Sequence, residues 1–306
     1  MKNMVDEGYE LAALIFRLTG TCWEFADLKT EYQRKLAETF AGFAEHPAVK
    51  MARSFDGSNG IAVRFDAVPK FSLHIEKRGD VFAFIDDKTS LFEEYRWNEA
   101  AARDFLALFN DFYKDVNFSD FYGAHVPHYE ELTREFIEKS YNSIDFDWLG
   151  KYLDKSKLHC VITPSTRSNF CAKIHGKAVY CFVGAGGYGR SEIVVHEFCH
   201  GFTQPIADKW YAENEQFKKW CDETLEARKL PYYGTIESIS GEYVNRAYTI
   251  LHCCQAKTEL KDDPVATKWS EIVPLLMACE MEEGFAHISG VYGMVLEADY
   301  DAKRSE

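Results

Sequence analysis

The residues best suited to chemistry lie in one stretch, Gly184-Ala185-Gly186-Gly187-Tyr188-Gly189-Arg190-Ser191-Glu192-Ile193-Val194-Val195-His196-Glu197-Phe198-Cys199-His200. Its first part fits GxGxxG, the turn that cradles a dinucleotide pyrophosphate, and its last part fits HExxH, a zinc-binding helix. The two motifs need different surroundings. A dinucleotide turn requires a parallel βαβ unit whose second strand, about twenty residues on, ends in an acid for the ribose. Residues 207–214 read instead as another helix, so dinucleotide binding is disfavoured.

HExxH needs only a buried helix. On a helix His196 and His200 stand one turn apart on one face, so both imidazoles converge on a single divalent cation, with Glu197 beside them. Ile193, Val194, Val195, Phe198 and Cys199 are uncharged, unlike the flanks of an exposed helix that happens to carry two histidines. Burying two imidazoles and a carboxylate without a partner is costly. A metal ion supplies the partner.

Three protein ligands and one open position are what a catalytic zinc site takes. A metzincin would have glycine at 203 and histidine at 206, where this chain has Thr203 and Ile206. The third ligand is therefore sought on a later helix, residues 235–255, which offers Glu237 and Glu242. Glu242 is preferred: it is mid-helix, Gly241 permits close approach of another backbone, and Arg246 one turn on is placed to hold the carboxylate. Glu237, near the helix start, serves the helix dipole equally well. Glu213, Glu223 and Glu226 read as a solvated charged face. The expected site is thus gluzincin-like, with His196, His200 and Glu242 holding one Zn2+ per chain. Glu197, as general base, takes a proton from the attacking water and passes it to the leaving nitrogen of a peptide bond. The oxyanion donor stays open among Tyr180, Tyr188, Tyr248, His252 and His287, each of which packing would also explain.

Around this site the pattern predicts helices at residues 10–19, 27–44, 99–113 and 129–141, with short strands at 61–65 and 81–85 and a turn at 56–60. From residue 150 the character changes to strands at 158–163, 170–174 and 178–183. The metal helix starts at Ser191 and is expected to end near Pro205, followed by helices at 207–228, 235–255 and 272–281. The fold class is α+β: a predominantly helical, zincin-like fold with a small mixed sheet next to the HExxH helix. A mainly helical part, 1–150, and a catalytic part, 151–306, are expected, or else one continuous domain. Strand 178–183 is expected to be the edge along which an extended peptide substrate adds itself, with the glycines beyond it leaving room at the cleft. Thermolysin-like aminopeptidases carry Gly-x-Met-Glu-Asn there, and Gly184-Ala185-Gly186-Gly187 disfavours that exopeptidase type.

Composition bounds the partners. The chain has 306 residues, 46% hydrophobic and 15% aromatic, enough for a sizeable core. Its 35 basic and 49 acidic residues give a net charge of −14, which repels nucleic acid. No run of about twenty apolar residues suggests a membrane span. Residues 11–16 are apolar, but Arg17 ends them and Asp6, Glu7 and Glu10 precede them, so no signal peptide is read; a leader removed beforehand would leave the same picture. Nine cysteines, none spaced CxxC, argue against a zinc ribbon and favour a reducing, cytoplasmic setting over secretion.

The chain also resembles a bacterial family assigned to the metallopeptidases and catalogued as domain of unknown function 4932. The resemblance rests on Glu10-Leu11, Phe16-Arg17-Leu18-Thr19-Gly20, residues 32–40, His46-Pro47-Ala48-Val49, Val195 to His200 with Pro205, and Glu242 with Arg246-Ala247. It implies that the helical half belongs to the same architecture, it supports the metal reading, and it implies no particular substrate. Two other readings use the same residues: a catalytically idle binding or scaffold protein, and a zinc hydrolase of small amides.

Overall fold

The computed structural model describes residues 4–57, 63, 65–86, 90–93, 96–174, 178–227, 229–230, 233–255 and 269–305. The chain forms two compact units, Met1–Asn142 with Lys157–Arg190, and Ser143–Ser156 with Ser191–Glu306. The division does not follow the expected cut at residue 150, because the strands after that point fold with the N-terminal helices.

The first unit contains helices α1 (Glu7–Leu18), α2 (Glu31–Phe40), α3 (Pro47–Arg53), α4 (Ala67–Leu73), α5 (Glu99–Asp115) and α6 (Phe118–Lys139). Its strands are β1 (Ile75–Arg78), β2 (Val81–Phe84), β3 (Leu158–Thr163), β4 (Phe170–Ile174) and β5 (Ala178–Gly184). Asp6 caps α1 by accepting the Tyr9 N–H, and residues 8–17 of that helix are all buried, Glu10 and Arg17 among them, so the helix lies inside the unit rather than on its surface. Against it packs an aromatic core in which Phe71, Phe105 and Phe109 are fully buried and Phe71 stacks on Trp97 at 5.2 Å. The expected helix 27–44 begins later, at Glu31, because Thr30 and Gln33 form a reciprocal capping box there. The helix expected at 129–141 begins earlier, at Phe118, and runs through Pro127. Packing of Phe118 and Phe121 on Phe40 outweighs the proline signal.

The strand expected at 81–85 is half of a hairpin: β1 and β2 pair antiparallel through Gly79-Asp80, with Gly79 at φ +64, the glycine-requiring two-residue turn. The charged run Glu76-Lys77-Arg78 hid its partner. Residues 61–65 and the turn at 56–60 lie mostly outside the described residues. The other three strands form the small mixed sheet, in the order β3-β5-β4, with β3 parallel and β4 antiparallel to β5. β5 is therefore the central strand. Its backbone groups are taken up on both sides, so it cannot be the edge to which a substrate adds. The glycines after it also have another cause: a Cβ on Gly184 would lie 2.4 Å from the Ser168 carbonyl oxygen, and one on Gly187 2.6 Å from Asn169 Oδ1. They make room for the chain's own loop.

The second unit is helical: α7 (Phe146–Leu149), α8 (Ser191–Cys199), α9 (Thr203–Glu213), α10 (Glu215–Ala227), α11 (Ile236–Gln255), α12 (Trp269–Glu282) and α13 (Ile288–Ser305). α11 is its axis, buried at most positions between Ile239 and Cys253 and packed against α8, α9, α10, α12 and α13. Among the described residues no helix is long and apolar enough to cross a membrane. α8 stops at Cys199 rather than near Pro205: Gly201 turns the chain, its N–H bonding to Phe198 O at 2.8 Å. Pro205 falls in the first turn of α9, where its missing N–H costs nothing. The helix expected at 207–228 is two, broken at Asn214, whose side chain accepts the Phe217 N–H at 2.9 Å and caps α10.

Candidate metal centre

α8 presents its functional groups by simple rotation. Val194, Val195, Phe198 and Cys199 are fully buried and fix the helix. His196 and His200 then emerge on one face, and Glu197 lies about 100° round from His196 and about 60° from His200. The imidazoles are 5.0 Å apart, centroid to centroid, at 89° to one another. Glu197 is 8% exposed.

α11 brings the carboxylate. Glu242 Oε1 stands 3.4 Å from His200 Nε2, and Oε2 stands 3.7 Å from His196 Nε2. One ligand atom from each of the three residues lies within 4.8 Å of the others. A four-coordinate ion with ligands about 2.0–2.2 Å away separates them by about 3.3–3.6 Å, so the group fits a metal ion with little adjustment. Charge agrees with geometry. Glu197, Glu242 and Glu280 are carboxylates at or near this cluster, and Arg246 is the guanidinium paired with two of them; the excess negative charge suits a divalent cation. Burial first, and then His200 and Arg246, hold His196 well below the usual histidine range, leaving the neutral imidazole that ligation requires.

The surrounding shell explains why Glu242 stays put. Arg246 Nε donates to Glu242 Oε2 at 3.2 Å, as its position one turn on predicted. The same guanidinium is held by Glu280 and by Glu283, the latter at 3.0 Å, both outside α11, and it lies 4.3 Å over the Phe285 ring. Burial opposes its charge, but Glu242 and Glu280 outweigh burial and hold it above its ordinary pKa. Gly241 does permit close approach, though of a side chain rather than a backbone: a Cβ there would meet Gln204 Oε1 at 2.4 Å.

Two residues escaped the sequence reading. Asn245 Nδ2 lies 3.0 Å from His196 Nδ1 and 3.4 Å from His200 Nε2, and Thr203 donates to its Oδ1 at 3.2 Å. Tyr233, just ahead of α11, has its phenol pushed up to about 12 by burial and then by Glu242, with Arg246 opposing and Glu197 adding. Neither sits in a recognisable motif. A buried Asn three residues after a ligand was the available hint for the first, and no signal marked the second.

The other candidates fall elsewhere. Glu237 is exposed in the first turn of α11, and Glu213, Glu223 and Glu226 are exposed too. Tyr180 and Tyr188 belong to the first unit. Tyr248 packs on Tyr152 and Phe202, and His252 accepts the Asp145 N–H with burial pushing its pKa down to about 4. His287 pairs with Glu223 and stacks on Trp220. No protein-family model, no curated protein and no solved structure matches the chain.

Proposed function

We propose that the chain is a zinc-dependent peptidase of the gluzincin kind. The observation that carries the reading is the meeting of His196, His200 and Glu242 from two helices at ligand spacing, beside a nearly buried Glu197. When bound, the ion supplies Lewis acidity, activating water and polarising a carbonyl. Glu197 takes the proton of the attacking water and returns it to the departing amine nitrogen. Arg246 holds Glu242 in its ligating orientation, and Asn245 stands against His196 Nδ1, the ring nitrogen turned away from Glu242. Tyr233, whose phenol lies within electrostatic reach of Glu242, Arg246 and Glu197, is the O–H donor for the negative charge that develops on the carbonyl oxygen.

The test combines metal content with turnover. Wild-type protein is expected to retain about one zinc per chain and to cleave unstructured peptides such as casein fragments. Glu197→Gln should keep the zinc and lose about 100-fold or more in kcat, the range of general acid–base contributions. Zinc-loaded wild type without peptide cleavage, or a Gln variant as active as wild type, would overturn the proposal.

A further inference from the structure

The first unit contains a cleft of about 860 Å3, within the size range of small-molecule sites. None of its lining comes from the segments that carry the metal-centre residues. One side is formed by residues 4–8 leading into α1, and the others come mainly from β1, β3 and α6.

Three carboxylates line it and are in different states. Glu7 is satisfied by Lys77 Nζ at 2.9 and 3.0 Å and by the Tyr113 hydroxyl at 2.7 Å. Glu76 is paired with Arg78 at 2.8 Å. Asp6 accepts the Tyr9 N–H at 2.6 Å through Oδ1 and has no cation paired with it among the described residues. Its side chain is exposed, at the cleft it lines. A carboxylate there without a cation of its own favours a cationic ligand and repels an anionic one.

Apart from His159 and Lys77, whose ammonium is taken up by Glu7, the remaining lining is mainly aromatic and apolar, with backbone hydrogen-bonding groups on one wall. Phe82, Ile75 and Tyr122 contribute rings and methyl groups. β3 is the outer strand of its sheet, and its free edge meets Val5 at Ile162, whose N–H donates to Met4 O at 2.9 Å. Strand alternation turns the N–H and C=O of Cys160 to that same edge, where no strand pairs with it among the described residues.

We propose that this cleft is a second ligand site, specific for a protonated amine on an aromatic or branched aliphatic body. The ammonium sits on Asp6, the body lies against Phe82, Ile75 and Tyr122, and amide groups, where the ligand has them, reach the Cys160 backbone. A free aromatic amine and the amino terminus of a short peptide share this chemistry.

Calorimetric titration of the full chain with phenethylamine, phenylalanyl-leucine amide and phenylpropionate tests it. At least one ammonium compound is expected to bind and the carboxylate is not. Tighter binding of the dipeptide amide would identify a peptide terminus as the ligand, and tighter binding of phenethylamine a free amine. Asp6→Asn should weaken the ammonium compounds at least tenfold, while asparagine keeps the helix cap. On unmodified protein the bound amine should slow alkylation of Cys160 and leave Cys279 unaffected, a readout independent of any variant's folding. Equal binding of phenylpropionate, unchanged binding by Asp6→Asn, or no binding and no protection of Cys160 by either ammonium compound would overturn the proposal.

Discussion

At Asn245 a single amide nitrogen faces both imidazoles of the candidate centre, and its carbonyl oxygen accepts from Thr203. An imidazole that gives Nε2 to a metal carries its proton on Nδ1 and needs an acceptor there, and that partner fixes ring orientation and basicity. Turning the Asn245 amide over presents Oδ1 to the His196 Nδ1 proton and leaves Nδ2 to the Thr203 hydroxyl, which accepts as well as it donates; a leucine of similar size offers no acceptor. Asn245→Leu is expected to weaken zinc binding by about 10–100-fold, measured by competition with a chromophoric chelator; affinity equal to wild type would remove Asn245 from the centre. Tyr233→Phe is expected to act on turnover instead, lowering kcat by about 100-fold at unchanged zinc content, and a loss of zinc would mean the phenol merely supports Arg246. His196, Glu197 and His200 were legible because a four-residue spacing is one helical turn whatever the fold. Glu242 was legible because its helix is long and its charged neighbour lies one turn on. Asn245 and Tyr233 were not, since their roles arise only where α11 meets α8 and the loop ahead of α11, contacts that no local pattern encodes.

Helices in the second unit approach closely through glycines, and the identity of the opposing group decides what each glycine is worth. Gly241 faces Gln204 Oε1, the mobile end of a long side chain, whereas a Cβ on Gly290 would lie 2.3 Å from the Trp220 ring, which is itself stacked on His287 at 12°. Gln204 can swing away and Trp220 cannot. Gly241→Ala should therefore stay within about 1 kcal/mol of wild type, because alanine's helix propensity offsets the displaced amide. Gly290→Ala should destabilise by about 1–3 kcal/mol. Urea unfolding of both variants checks the contrast, and equal effects would show that the ring yields. At this scale long periodic helices such as α5 and α11 were readable. The breaks at Gly201 and Asn214 were not, because each depends on a local hydrogen bond interrupting an otherwise continuous pattern. The central place of β5 was hidden for a different reason: period and composition identify a strand but not its neighbours.

The division into units was the least legible feature, because it rests on pairings between distant parts of the chain. Val5 bridges Ile162, and Tyr9 packs its ring 4.9 Å from Phe182, so the strands belong with the first helix although more than 150 residues separate them. The same joining creates a buried ionisable group. Glu10 is fully buried, and its carboxylate accepts from the Tyr32 hydroxyl at 2.8 Å and the Ser165 hydroxyl at 2.8 Å. Burial pushes its pKa up to about 7, with the two hydroxyls, the Ser165 N–H and the Arg17 charge opposing. The unfolded chain ionises this group near 4.5, so between that value and about 7 it releases the proton that the folded unit retains. The stabilising contribution is therefore complete below about 4.5 and is lost as pH rises through about 7, an effect on the order of 3 kcal/mol at most. Asp6 is also held above its ordinary value, but its side chain is exposed and water screens its share, so the Glu10 share is taken as a difference between proteins. Glu10→Gln cannot ionise and should remove that share. Hydrogen exchange of the α1 amides, compared between wild type and Glu10→Gln at pH 5 and pH 8, should show the variant gaining protection relative to wild type at the higher pH. Parallel behaviour at the two pH values would mean that Glu10 keeps an ordinary acidity inside the fold and that its hydroxyl partners, together with Arg17, fully offset its burial.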